Sequence, residues 1–291
     1  MKKFIFKTTL FFITPIVAYV AIFYFLKFSF KNDIARYPVI VLGDSQTEFI
    51  RNENIYNLSI HGSPFFVLFK FSEQFIDQLK GKKIYIASNY HSLSKLYENR
   101  LANDSLLPGW RASMFEQVNT YNIVNHKYSK IRPSDLDYSF FDIKKIPKLF
   151  HRVYLNNKSE NSMNNIIKDT LSISNAIHRH WNHESYLLKD SIQKTYLKKL
   201  ITFLNENNCE VILLKMPLTS YYTENVPLEV KDQLSDLSND HDVRVLDLNK
   251  ELAISNKYKY FKDYGHLNKS GDSLIIDYFM KNEIHGLSQQ Q

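Results

Sequence analysis

Glycine is scarce in this 291-residue chain, with seven residues where an average composition gives roughly 7% of positions. Prolines number only eight. This shortage excludes collagen-like repeats and Gly/Ser- or Pro-rich disorder. The single cysteine, Cys209, excludes an intrachain disulfide framework and any multi-cysteine zinc site. Where glycine is rare, each one is expected where the backbone needs a positive φ or a close approach. Those positions are Gly43, Gly62, Gly81, Gly109, Gly265, Gly271 and Gly286. What the chain has in place of glycine is apolar bulk: 44% hydrophobic and 14% aromatic residues, ample for a sizeable core. Its net charge is +7, but pairs such as Lys82-Lys83, Lys144-Lys145 and Lys198-Lys199 are scattered among acids and no nucleic-acid motif appears. Nucleic acid is therefore not an expected partner; anionic lipid or an anionic wall polymer suits the charge better.

Uncharged residues run without a break from Thr8 to Leu26, behind a basic head at 1–7 that carries Lys2, Lys3 and Lys7. At 1.5 Å per residue that run spans most of a ~30 Å hydrocarbon layer. Phe28 and Phe30 extend it past Lys27, whose long stem can snorkel, so 8–30 is expected to be a transmembrane anchor. A cleaved signal peptide has the same basic start, but Phe23-Tyr24-Phe25-Leu26 supplies no small-x-small cleavage site. Basic residues lie on both flanks, so the charge bias is slight. A short head before a long globular tail resembles a signal anchor. The expected location is a bacterial cell membrane, crossed once, with the amino terminus cytoplasmic and the main domain outside.

Beyond the anchor, Tyr37–Leu42, Asn54–Ile60, Lys83–Ala87, Val211–Leu214 and Val243–Asp247 read as strands. Phe65–Leu79, closing at Gly81, and Ile192–Asn208 read as helices between them. This alternation predicts an α/β fold, a parallel sheet with helices on both faces in three layers, whose ligands bind beyond the carboxyl ends of the strands. The core is expected over 36–98 and 191–286. Residues 99–190 break the rhythm and form a mostly helical insertion or lid. Within it Ile143, Ile146, Leu149, Phe150 and Val153 share a face beside Lys144, Lys145, Lys148 and Arg152. That pattern fits either a basic membrane-surface helix or a short lid helix beginning near Pro147.

Two segments carry potential chemistry. Gly43-Asp44-Ser45-Gln46-Thr47-Glu48 follows the first strand, where a serine can present its hydroxyl while backbone N–H groups face a developing oxyanion. Ser45-x-x-Glu48 is also a helix capping box. Near the end, Asp263-Tyr264-Gly265-His266-Leu267-Asn268 sets an aspartate three residues before a histidine on a loop opening the last helix. Acyl transfer through serine needs a base and a carboxylate that holds the base in the right tautomer. His178-x-His180-x-x-His183 invites a metal reading, but only His180 and His183 share a helix face and Glu184 alone is acidic beside them. No metal is expected. Tyr90, Trp110 and Trp181 suit either sugar stacking or core and lid packing.

The order of these blocks resembles the SGNH (GDSL-like) hydrolase superfamily: GDS after the first strand, Asn57-Leu58-Ser59-Ile60-His61-Gly62 after the second, a polar Asn after the third and DxxHLNxxG near the end. The similarity covers roughly 37–98 and 192–282. It implies a flavodoxin-like fold, Ser45 as nucleophile, His266 as base and Asp263 as its orienting partner. It also implies an oxyanion hole from the Ser45 and Gly62 N–H groups and the Asn89 side chain. Ala87-Ser88-Asn89-Tyr90-His91-Ser92 departs from the family's third block, so Ser88 or His91 are alternatives to Asn89. Asp44, Gln46 and Tyr264 are expected to touch substrate, and no cofactor is implied. Membrane-anchored members resemble wall-polymer acylation proteins. The expected activity is thus an esterase or O-acyltransferase acting on an acylated envelope glycan or polymer, beside a multipass membrane acyltransferase. A non-catalytic accessory or binding subunit is the alternative.

Overall fold

The computed structural model describes residues 1–94, 96–97, 145–150, 170–181 and 191–284. Five strands, β1 (Val39–Leu42), β2 (Ile55–Asn57), β3 (Lys83–Ala87), β4 (Glu210–Lys215) and β5 (Arg244–Asp247), pair in parallel in the order β2-β1-β3-β4-β5. Val39 stands opposite both Ile55 and Lys83, Lys83 opposite Glu210, and Ile212 opposite Arg244. Every side chain of Val39-Ile40-Val41-Leu42 is buried, because helices cover both faces of the sheet. One face packs Ile40, Leu42, Ile84 and Leu213 against helices α2 (Phe65–Gln74) and α6 (Ile192–Glu206). The other packs Val39, Val41, Tyr85 and Leu214 against α10 (Lys269–Tyr278) and the wide turn Phe279–Ile284 that continues it. This is the three-layer α/β arrangement, and its strand order reverses between β1 and β3. Sheets of this kind hold ligands beyond the strand ends at such a reversal.

The helix α1 (Lys2–Arg36) is longer than the run that suggests it. Residues 7–36 are apolar and long enough to cross a membrane. The last turns of α1 are not a free tether. Phe23, Leu26, Phe30 and Ile34, spaced three and four apart, form a buried stripe on the domain. The Phe30 ring lies 5.8 Å from Phe71 and 5.1 Å from Phe75. Full burial of side chains of this size contributes about 1.5–3 kcal/mol each, so the stripe is a substantial docking surface. Phe28 points the other way and is exposed.

Other differences from the sequence reading have local causes. The helix expected over Phe65–Leu79 breaks at Phe75, whose ring packs onto Phe30 and Phe71, leaving a short helix α3 (Ile76–Leu79). The second strand shortens to Ile55–Asn57 because Asn57 turns its side chain onto the Thr47 and Ile50 carbonyls. Of the insertion, the described parts are α4 (Lys145–Phe150), which packs against α1, and α5 (Leu171–Trp181). The remainder of that segment, including Trp110 and His183, lies outside the described residues. Three helices come without a sequence forecast: α7 (Ser220–Glu224), α8 (Leu228–Asp240) and α9 (Leu248–Leu252).

Candidate active site

Ser45 sits in the turn that leaves β1. Local bonds close that turn: Asp44 Oδ1 accepts from Gln46 N at 3.0 Å, and the Asp44 carbonyl accepts from Thr47 N at 3.2 Å. Gly43 permits it. A Cβ there would lie 2.2 Å from Thr47 Oγ1 and 2.8 Å from the Ala87 Cβ, so a side chain would push β1 and β3 apart. The Thr47 hydroxyl, in turn, is hydrogen-bonded to Ser59 after β2 at 2.7 Å.

The second segment arrives from the far end of the chain. Asp263 Oδ1 accepts from Gly265 N at 3.0 Å and His266 N at 2.8 Å, an Asx turn that folds the loop back on itself. Asn268 caps α10 through Ser270 N and Gly271 N. The Tyr264 carbonyl accepts from Thr219 N at 2.9 Å, which ties the loop to the chain leaving β4. Held this way, His266 Nδ1–H donates to Asp263 Oδ2 at 2.8 Å, and Nε2 on the opposite side of the ring faces Ser45 Oγ at 2.8 Å. Nδ1 carries the proton in this arrangement, so Nε2 is an acceptor for the serine hydroxyl.

Burial works against charge on His266. The Asp263 carboxylate outweighs it, helped by the negative charge of Asp44, and raises the imidazole pKa above its ordinary 6.5. Burial likewise works to raise the Asp263 pKa. His266 and the two backbone N–H groups prevail and hold it below 3.8.

The other expected site residues fall in distinct places. Gly62 lies in the turn after β2 at φ +67°, in the left-handed region. Asn89 is buried beyond β3 and its Nδ2 donates to Gln46 Oε1. Among the described residues Gln46 Nε2 and Asn89 Oδ1 have no partner. Reversing both amides keeps one bond between them and turns the Asn89 nitrogen to the side its oxygen now occupies. Gln46 is pressed against Gly265, where a Cβ would lie 2.2 Å from Gln46 Nε2. Ser88 is buried in the sheet, its N–H bonded to the Leu214 carbonyl.

Asp44, expected at the substrate, instead uses both carboxylate oxygens inside the protein. Oδ2 takes the Tyr97 hydroxyl at 2.7 Å and His91 Nε2 at 3.0 Å, while Oδ1 holds Gln46 N. Burial alone would raise its pKa, but these donors hold it well below the carboxylate range. Sequence reasoning missed this second imidazole–carboxylate pair, because neither Tyr97 nor the direction of His91 is signalled by spacing. Tyr264 is buried, its ring 4.5 Å from Tyr222 and edge-on to His180 and His266. His180, from α5 of the insertion, hydrogen-bonds the Tyr222 hydroxyl at 2.7 Å and stacks near His91. That histidine, first noticed for its metal-like spacing, thus packs in an aromatic wall behind the site. Among the described residues no group of three or more His, Cys, Asp or Glu is placed to hold a metal. Tyr90 accepts from Lys215 Nζ at 3.2 Å, and Trp181 is buried.

No family model matches the chain, and no curated protein does. Solved structures resemble it at low similarity. A candidate acylhydrolase of Bacteroides fragilis is 11% identical over 84% of each chain, with a TM-score of 0.39. A GDSL-like lipase of Bacteroides thetaiotaomicron is 11% identical, covering 84% of this chain and 87% of its own, with a TM-score of 0.38. A Bacillus subtilis protein is 9% identical over 86% of this chain and 57% of its own, with a TM-score of 0.40.

Proposed function

We propose that this protein is a membrane-anchored serine acyl-transfer enzyme of the SGNH kind. One observation carries the reading: Ser45 Oγ stands 2.8 Å from His266 Nε2, and Asp263 stands 2.8 Å behind the same ring. In the first half-reaction the Ser45 oxygen attacks an ester carbonyl while its proton passes to His266 Nε2. The carbonyl oxygen becomes an oxyanion, facing the Ser45 and Gly62 N–H groups and Asn89 once the Gln46 carbonyl yields that donor. The imidazolium then protonates the leaving alkoxide, and an acyl-Ser45 ester remains. In the second half-reaction His266 takes a proton from water or from a sugar or polyol hydroxyl as its oxygen attacks the acyl carbonyl, then returns that proton to Ser45 Oγ as the acyl–Ser45 bond breaks. Water makes the enzyme an esterase, and a hydroxyl of an envelope glycan or polymer makes it an O-acyltransferase. Gln46 and the Tyr264 wall border the acyl group.

The anchor supports a site of action at the cell membrane; a domain outside and a multipass acyltransferase partner are part of the proposal and rest on the resemblance. Cleavage between Leu26 and Phe30 would strip Phe23 and Leu26 from the core, which favours an uncleaved helix. A non-catalytic accessory role draws on one observation, the Gln46 carbonyl seated on Asn89. One experiment separates the two readings. The detergent-purified full chain is treated with a fluorophosphonate probe and assayed on p-nitrophenyl acetate. A covalent adduct on Ser45 and turnover that vanishes in Ser45→Ala support the enzyme. A protein inert to both, whose Ser45→Ala variant still complements a deletion, is an accessory subunit.

A further inference from the structure

The path of α1 fixes which end of the sheet faces the bilayer. We infer that it is the catalytic end, so that Ser45 and His266 open toward the membrane surface and meet substrate presented there. This rests on reading α1 as a retained anchor, and it adds an orientation to that reading.

Only Tyr37 and Pro38 separate the end of α1 from the start of β1. That junction lies at the strand-start end of the sheet, where Lys82, just before β3, donates to the Ala35 and Tyr37 carbonyls. From this point the helix can either continue away below the sheet or fold back along it. Phe30 decides between them. Its ring lies 6.1 Å from Tyr56, which is paired with Ile40 of β1. A helix running away below the sheet would carry Phe30 about 9 Å beyond Arg36, out of reach of Tyr56. The helix therefore folds back antiparallel to β1, as two-residue connections in α/β units allow.

The helix then climbs about 20 Å from Arg36 to Phe23, while the extended chain from Tyr37 to Leu42 rises about 16 Å. Phe23, still buried on the domain, stands level with or past the end of β1 where the Gly43–Ser45 turn begins. Everything before it projects from the catalytic end.

Length then sets the depth. Thr8 to Ile22 covers about 22 Å, short of the ~30 Å a hydrocarbon core requires. The missing turns are those that carry Tyr24, Phe25 and Phe28, which are 59%, 59% and 64% exposed on the face away from the domain. The inner face of the same turns is buried in the domain. One helix segment thus serves lipid on one side and the protein core on the other, and the catalytic end sits at the depth of the headgroups. Tyr24 suits that depth. Phe150, 49% exposed on α4, lies beside α1 and adds a further apolar contact. This favours the membrane-surface reading of α4 over a plain lid helix.

Fluorescence quenching in liposomes tests the orientation. The full chain, with the buried Cys209 replaced by Ala, receives one cysteine at His61, beyond the end of β2, or at Lys80 or Glu206, at the strand-start end. Each variant carries a fluorophore and is reconstituted in phosphatidylcholine–phosphatidylglycerol vesicles containing a headgroup spin label. The expected result is loss of fluorescence at position 61 and none at 80 or 206. Equal quenching at the three positions, including none at all, overturns the inference, as does quenching confined to 80 or 206. The readout does not depend on catalysis. Fluorophosphonate labelling of Ser45 in the same samples reports separately on the acyl-transfer reading, and intact mass reports on retention of α1.

Discussion

Asp263–His266 and Asp44–His91 are the same chemical pair in two settings. The first is partly open: the Asp263 and His266 side chains are 37% and 22% exposed, and the free ring nitrogen reaches Ser45. The second is closed: Asp44 and His91 are 6% and 2% exposed, and the carboxylate is also held by Tyr97 and Gln46 N. Both stand next to Ser45, one across space and one through the peptide bond from Asp44 to Ser45. An open pair can pass a proton to substrate and back. A closed pair is shut away from solvent, so it holds the turn in place, and its Asp44 carboxylate also acts on His266. Breaking a buried pair leaves an uncompensated charge, which costs far more than the intact pair contributes. The first pair is therefore expected to govern rate and the second to govern stability.

The sharpest test of that division is removal of the open pair. Ser45→Ala, His266→Ala and Asp263→Asn are each expected to lower ester turnover by on the order of 10⁴-fold or more, with a smaller loss of stability than follows from breaking the closed pair. His91→Ala is expected to lower unfolding free energy by about 3–5 kcal/mol in urea titration. Equal stability with lost turnover would move His91 from the structural pair into the chemistry. Asn89→Ala, placed between the two pairs, should cost on the order of 10²–10³ in kcat if its amide serves the oxyanion. A rise in kcat would instead mark Asn89 and Gln46 as a plug. Tyr97→Phe removes one hydrogen bond to the closed carboxylate and should cost about 1.5–3 kcal/mol of stability.

The smallest expected effect is on pH. His266 must be neutral to act as a base, so kcat/KM should rise with pH through a midpoint above 6.5, in keeping with its raised pKa. Asp44→Asn deletes a charge that favours the imidazolium, so the midpoint should move down, by less than about one unit. The sign for stability differs. The raised His266 contributes fully below 6.5 and loses its contribution as pH climbs through its folded pKa. The lowered Asp263 contributes fully above 3.8 and loses its contribution as pH falls through its own. The pair is thus fully effective between those two values, and a flat stability profile across both limbs would show that the pair adds nothing to folding.

Much of this architecture was legible in the residues. Val39–Leu42 and Lys83–Ala87 are short apolar runs ended by polar or glycine turns, and buried parallel strands leave that mark because both faces lack water. Asp263 and His266 were legible as a pair because their spacing suits one tight loop. What lay hidden was side-chain direction. Asp44 was expected to touch substrate, and only the 3₁₀ turn Tyr90–Leu93 after β3 brings His91 back onto it. Phe28 and Phe30 look alike in an apolar run, but the helical repeat sends one outward and the other into the core beside Tyr56.

The chain's glycine economy makes the same division. By itself the sequence determined an alternating α/β order, an apolar helix of membrane-crossing length, and the rare glycines that mark where the backbone must pass close. These are properties of nearest neighbours and of periodic burial, so they are written in local order. Local order gave no contact between Ser45 and His266, which only the resemblance paired; tertiary structure sets them 2.8 Å apart across 221 positions. It also decided that one carboxylate beside Ser45 is locked inside, and that α1 turns back along the sheet. Those outcomes depend on how strands of one sheet are ordered and how one two-residue connection reverses the chain. Contacts of that kind join residues whose local sequences carry no trace of each other.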